Sequence, residues 1–186
     1  DSLLRIEDRR DIALRGYGAV LRMRKEDYLQ GPYQPSGWRH VLSVRGSTGV
    51  KVEGLTLRGA GGDGIYLGST GNQRYVKDVV IRDVVCDDNT RQGMSVISAE
   101  NLLVERCVFS NTGGRSPGAG IDLEPNRADE RMANVVIRNS VFENNRLGMH
   151  MWFSNLREES PPVSVLWENN LVKDHVGGYG IAIHVG

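Results

Sequence analysis

The sequence predicts an all-β fold: a right-handed, single-stranded parallel β-helix of about six coils. Three observations predict it. A short motif returns at intervals of 27 to 32 residues, a second strand-like pattern interleaves with it, and glycine is abundant (23 residues). A repeat of that length marks a stacked architecture, and a glycine-rich chain without Ala or Leu runs favours short strands and turns over long helices.

The first motif is glycine, apolar, any, apolar. It occurs as Gly64-Ile65-Tyr66-Leu67, Gly93-Met94-Ser95-Val96, Gly120-Ile121-Asp122-Leu123, Gly148-Met149-His150-Met151 and Gly180-Ile181-Ala182-Ile183. A less regular early copy is Val41-Leu42-Ser43-Val44. The second pattern begins at Val50-Lys51-Val52-Glu53-Gly54-Leu55-Thr56-Leu57 and returns from Val79, Leu102, Val135 and Val165, with an earlier start at Ile12-Ala13-Leu14. Each repeat thus holds three short segments rich in Val, Ile and Phe, separated by turn residues. One repeat cannot bury its apolar face alone, so repeats must stack, about 4.8 Å apart. A helical solenoid would need a 3.6-residue period, which is absent.

Stacking predicts interior ladders. Leu57, Cys86, Phe109, Phe142 and Val172 form one column, with Phe109 on Phe142. Val52, Ile81, Val104, Ile137 and Trp167 form another, and Leu55, Val84, Cys107, Ser140 and Asn170 lie at the bend between them. Cys86 and Cys107 fall at different column positions, so they are expected as two buried thiols rather than a disulfide.

Residues 1–186 read as one domain, with residues 25–39 as a loop insertion carrying Tyr28, Tyr33 and Trp38. Strand patterns at both ends (Leu3-Leu4-Arg5-Ile6 and Ile181-Ala182-Ile183-His184-Val185) suggest a segment of something longer. Lys+Arg and Asp+Glu both number 23, which gives no electrostatic reason to expect nucleic acid or an anionic membrane as partner. The basic runs at residues 22–25 and 127–131 are short and mixed with acids, as solvated turns are. There is no apolar run long enough for a membrane span, and no signal peptide is visible.

The coil Asn134-Val135-Val136-Ile137-Arg138-Asn139-Ser140-Val141-Phe142-Glu143-Asn144-Asn145 resembles those of the pectin-lyase-like β-helix superfamily, and the resemblance covers nearly the whole chain. That superfamily includes polysaccharide lyases, glycoside hydrolases, epimerases, phage tailspikes and adhesins, so the resemblance implies a fold and not one activity. It implies a groove along the strand of the glycine motif, and a secreted, periplasmic or cell-surface location. The polygalacturonase pattern departs here: Gly61-Gly62-Asp63-Gly64-Ile65 resembles its general turn, but Arg91-Gln92-Gly93 replaces an Asp pair. The Arg-rich motif of pectate lyases is not found.

Alternation lists the outward residues of that strand. One column is Ser43, Tyr66, Ser95, Asp122, His150 and Ala182; the next is Arg45, Gly68, Ile97, Glu124, Trp152 and His184. The leading turns add Asp63, Arg91, Gln92, Arg146 and Tyr179. Asp122 and Glu124 project together, with His150 stacked on Asp122 and Trp152 on Glu124. Paired carboxyls suit glycoside cleavage, one as acid and one as base or nucleophile. Their mutual repulsion separates their pKa values, and His150 can tune Asp122 or carry a proton. Tyr66, Trp152 and His184 are candidate substrate contacts, and Arg45, Arg91 and Arg146 suit sugar carboxylates. The leading expectation is a glycoside hydrolase acting on a polysaccharide or oligosaccharide without a cofactor. The alternatives are a calcium-assisted polysaccharide lyase, with Asp122 and Glu124 as ligands, and a non-catalytic glycan-binding or structural β-helix.

Overall fold

The computed structural model describes residues 2–185. It is built of three parallel sheets, each receiving one strand per coil. The first stacks Ser2–Glu7, His40–Arg45, Ile65–Gly68, Met94–Val96, Ala119–Leu123, Leu147–Phe153 and Tyr179–Val185. The second stacks Ala13–Arg15, Lys51–Glu53, Val76–Arg82, Ala99–Glu105, Met132–Arg138 and Val165–Glu168. The third stacks Val20–Arg22, Thr56–Arg58, Val85–Asp87, Val108–Ser110, Val141–Glu143 and Leu171–Lys173. Strands of neighbouring coils therefore pair, while strands within a coil face one another across the core. The right-handed parallel β-helix expected from the repeat is the fold.

The interior ladders run as the alternation requires. Leu57, Cys86, Phe109, Phe142 and Val172 are successive partners in the third sheet. Val52, Ile81, Val104, Ile137 and Trp167 are successive partners in the second. Phe109 stacks on Phe142 at 5.0 Å between ring centroids, and Trp167 follows at 4.7 Å. Cys86 and Cys107 are free and buried, and burial pushes the Cys107 thiol up to about 12. At the bend, the Ser140 hydroxyl accepts from the Cys107 N–H, and Asn170 accepts from the Ser140 N–H.

The tight corners explain the frequent Asn and Asp. Asp83, Arg106, Asn139 and Asn169 all take a left-handed backbone (φ 51 to 54°) at the corner between the second and third sheets. Asn and Asp tolerate this region better than most side chains. After the third sheet, the buried amides of Asn89 and Asn145 hydrogen-bond main-chain groups of the neighbouring coil. Interior amides thus satisfy backbone groups that the turning chain leaves unpaired.

A charge ladder climbs the outer face of the second sheet. It runs Arg15, Glu53, Arg82, Glu105, Arg138, Glu168, with contacts of 2.6 to 3.8 Å and strictly alternating sign. The basic runs are likewise paired: Arg24 with Asp27, Lys25 with Asp88, Arg127 with Asp129 and Glu130, and Arg131 with Glu100. The insertion at residues 25–39 is not wholly a loop, because Lys25–Leu29 forms a short helix. Among the described residues no helix is long and apolar enough to cross a membrane.

Candidate functional site

The first sheet brings the expected columns together. Arg5, Ser43, Tyr66, Ser95, Asp122, His150 and Ala182 are partners from coil to coil. Arg45 pairs with Gly68, and Trp152 with His184. Leu123 pairs with Met151, so Glu124 and Trp152 follow as neighbours one residue on. Outward does not mean exposed here: Ser43, Tyr66, Ser95 and Asp122 are all buried.

What covers them is a cluster of charge. Asp63, at the turn into its strand, is wholly buried and receives the Arg91 guanidinium from the next coil, Nε to Oδ1 at 2.8 Å and NH2 to Oδ2 at 3.1 Å. The same NH2 reaches Ser95 Oγ at 3.0 Å and Glu124 Oε1 at 2.8 Å. Asp122, also wholly buried, accepts from Gln92 Nε2 at Oδ2 (2.6 Å) and meets His150 Nδ1 at Oδ1 (2.8 Å). Gln92 is itself fixed, because its Oε1 accepts the Ala119 N–H at 2.8 Å.

The electrostatics follow from this crowding. Two carboxyls, Asp63 and Glu124, bind one guanidinium, and the Asp122 charge lies near it. Burial first, and then the Asp122 charge, push Glu124 up to about 7, although Arg91 pulls the other way. The carboxylate of Asp122 raises His150 through their hydrogen bond, against partial burial. With a carboxylate as partner, Nδ1 of His150 carries the proton, which leaves Nε2 as the ring's second nitrogen.

The far end of the cluster is aromatic. Trp152 is 40% exposed and lies 5.9 Å from the His150 ring and 5.0 Å from His184. His150 and His184 lie 5.3 Å apart. His150 and His184 line a cleft of about 520 Å³, whose rim carries Arg146, Pro117 and Tyr179. Arg146 is exposed and makes no ion pair among the described residues, whereas Arg91 is spent on internal bridges.

The near end differs from what a substrate contact at Tyr66 requires. Its ring is buried, stacked on His40 at 4.8 Å and edge-on to Trp38 at 5.9 Å, with the Arg45 guanidinium 5.7 Å above it. A side chain at Gly68 would meet the Tyr66 ring at 2.6 Å, so glycine there lets the ring lie down along the strand. The insertion supplies Trp38, and its Gly37 lies close to the Arg91 and Arg115 side chains. The insertion therefore lies against this face. His40, which alternation did not single out, meets Asp63 at 3.1 Å through Nδ1.

Calcium fits Asp122 and Glu124 poorly. The Arg91 guanidinium already holds one Glu124 oxygen, while Gln92 and His150 occupy both oxygens of Asp122. A hard cation would have to displace all three donors to gather oxygen ligands.

Comparison with known proteins agrees with the fold. A family model described as "Right handed beta helix region" matches residues 71–160. Over 96 residues, 47% of this chain, the sequence is 30% identical to the SPbeta prophage-derived uncharacterized protein YorA of Bacillus subtilis (strain 168). The chain spans only 16% of that relative. No solved structure matches.

Proposed function

We propose that this right-handed parallel β-helix is a carbohydrate-active enzyme that cleaves glycosidic bonds of a polysaccharide or glycan by acid/base catalysis. One observation carries the reading: Glu124 binds the guanidinium that also holds the buried Asp63, keeps a partly open side chain (19%), and is pushed up to about 7 by burial and the neighbouring Asp122 charge. The ladder on the second sheet is the contrast within the same molecule. There, signs alternate and every carboxylate has an arginine, as a purely structural ladder needs. A retained proton beside an aromatic cleft suits a general acid.

In this mechanism Glu124 gives its proton to the glycosidic oxygen as the bond from the anomeric carbon breaks. His150, held by Asp122, takes a proton through Nε2 from the water that attacks that carbon. Asp122 is buried with both oxygens engaged, so it acts through His150 and Glu124 and does not touch the sugar. Trp152 and His184 offer ring faces to the sugar, and Arg146 stands at the cleft rim. Such a substrate places the protein outside the cell or at its surface.

The burial of Asp122 favours one rival, a glycan-binding β-helix without turnover. A panel of neutral and acidic polysaccharides separates the readings. New reducing ends without ultraviolet absorbance are the expected result. An unsaturated, absorbing product would instead indicate a lyase, and binding without either product would indicate the non-catalytic rival.

A further inference from the structure

We infer that the near end of the same face is a separate binding site for an oxyanion, a carboxylate or a sulfate ester carried on the glycan. This rests on reading the face as glycan-binding and goes beyond the cleavage chemistry. The pocket there, about 370 Å³, is lined by Arg5, Trp38, His40, Ser43, Arg45 and Tyr66, with Ser2 at its edge.

Buried polar atoms without partners, the Arg45 Nε–H above all, carry the inference. Among the described residues, three buried side-chain polar atoms lack a hydrogen-bond partner: His40 Nε2, Arg45 Nε and His175 Nε2. Two of the three belong to residues that line this one pocket. His40 is 3% exposed; its Nδ1 meets both the Asp63 N–H at 3.2 Å and the Asp63 carboxyl at 3.1 Å, and its Nε2 is left without a partner. Arg45 Nε is a donor under any condition. Buried polar groups left without partners are rare and costly in native folds. The unmet Arg45 donor calls for an acceptor-rich group beside it, and a guanidinium fork matches a planar or tetrahedral oxyanion.

The surrounding charge agrees. Arg5 stacks one coil from Ser43 in the outward column, and its side chain is 63% exposed with Glu7 as partner at 3.2 Å. Glu7 pairs in register with Arg45, and the pocket lining itself contains no acid. Ser43 lies three ladder steps from Asp122, about 14 Å at the usual strand spacing. A single sugar cannot touch both places, so the anion belongs to a unit some residues along the chain from the cleaved bond. The pocket would therefore select an extended acidic glycan and set its register over Glu124.

Calorimetric binding to the full chain carrying Glu124→Gln tests this without turnover. The probes are a polyuronate, a sulfated dextran and a neutral dextran, all oligosaccharides of equal length. One anionic probe is expected to bind at least tenfold more tightly than the neutral one, and which of the two does so identifies the anion. Arg45→Gln should abolish that preference and leave the neutral Kd unchanged. Arg5→Gln, at an exposed position where folding is not at stake, should reduce the preference severalfold. Equal affinity for all three probes overturns the inference, as does a preference that survives both substitutions. Cleavage of a neutral glycan with no anionic preference would remove this site and leave the hydrolase reading standing. Charge-dependent binding lost in Arg45→Gln, with no cleavage of any glycan by the unsubstituted chain, would do the reverse.

Discussion

Replacing Glu124 by glutamine should flatten the dependence of stability on pH. In the fold, burial and the Asp122 charge hold the Glu124 carboxyl at about 7, against an ordinary value of 4.5. Between those two values the folded chain binds more protons than the unfolded one, so stability falls as pH rises. The full penalty for ionising this carboxyl in place is about 3 kcal/mol, reached above neutrality. Glutamine keeps the shape and does not titrate. The variant should therefore gain about 3 kcal/mol on the unsubstituted chain between about pH 4 and pH 8. His150 has the same sign: its raised pKa gives stability that is present below 6.5 and lost as pH rises through its folded value. It titrates in both proteins and largely cancels in the difference. Urea unfolding of both proteins at a series of pH values measures this. Parallel curves would refute the claim that Glu124 is held protonated.

Other consequences follow from the same contacts. Arg91→Met leaves the wholly buried Asp63 without its bidentate partner and should cost about 3 to 5 kcal/mol in urea unfolding, far more than an exposed arginine would. Phe142→Ala opens the ladder between Phe109 and Trp167 and should cost about 3 to 5 kcal/mol, read in the same way. Turnover should follow a narrow bell near neutrality, falling above about 7 as Glu124 ionises and falling on the acid side as His150 takes a proton. A profile flat across that range would contradict the assignment.

Much of the fold was legible because a strand period of two and a coil period near 28 residues fix which side chains stack. The Phe109–Phe142 stack and the Asp122–His150 contact both follow from that arithmetic. Exposure was not legible. Tyr66 points outward yet lies buried, because Gly68 leaves room for its ring and the insertion brings Trp38 across it. Arg91 reads as a free hand for a sugar carboxylate, but the two acids it bridges, Asp63 and Glu124, lie on the coils either side of it. Gln92 and His40 sit at strand entries, where coils turn differently and alternation does not say which way a side chain faces. A clue was available in the register: His40, Asp63 and Gln92 occupy equivalent positions on successive coils, and three polar residues stacked at a buried strand entry need partners.

The central claim is that Glu124 protonates the leaving oxygen, and the most direct test compares two substrates in one variant. On whichever polysaccharide the unsubstituted chain cleaves, Glu124→Gln should lower kcat by about 10²- to 10⁴-fold. On an aryl glycoside of the same sugar, whose phenolate departs without a proton, the same variant should lose far less. An equal loss on both substrates, or full activity on the polysaccharide, would contradict the role assigned to Glu124.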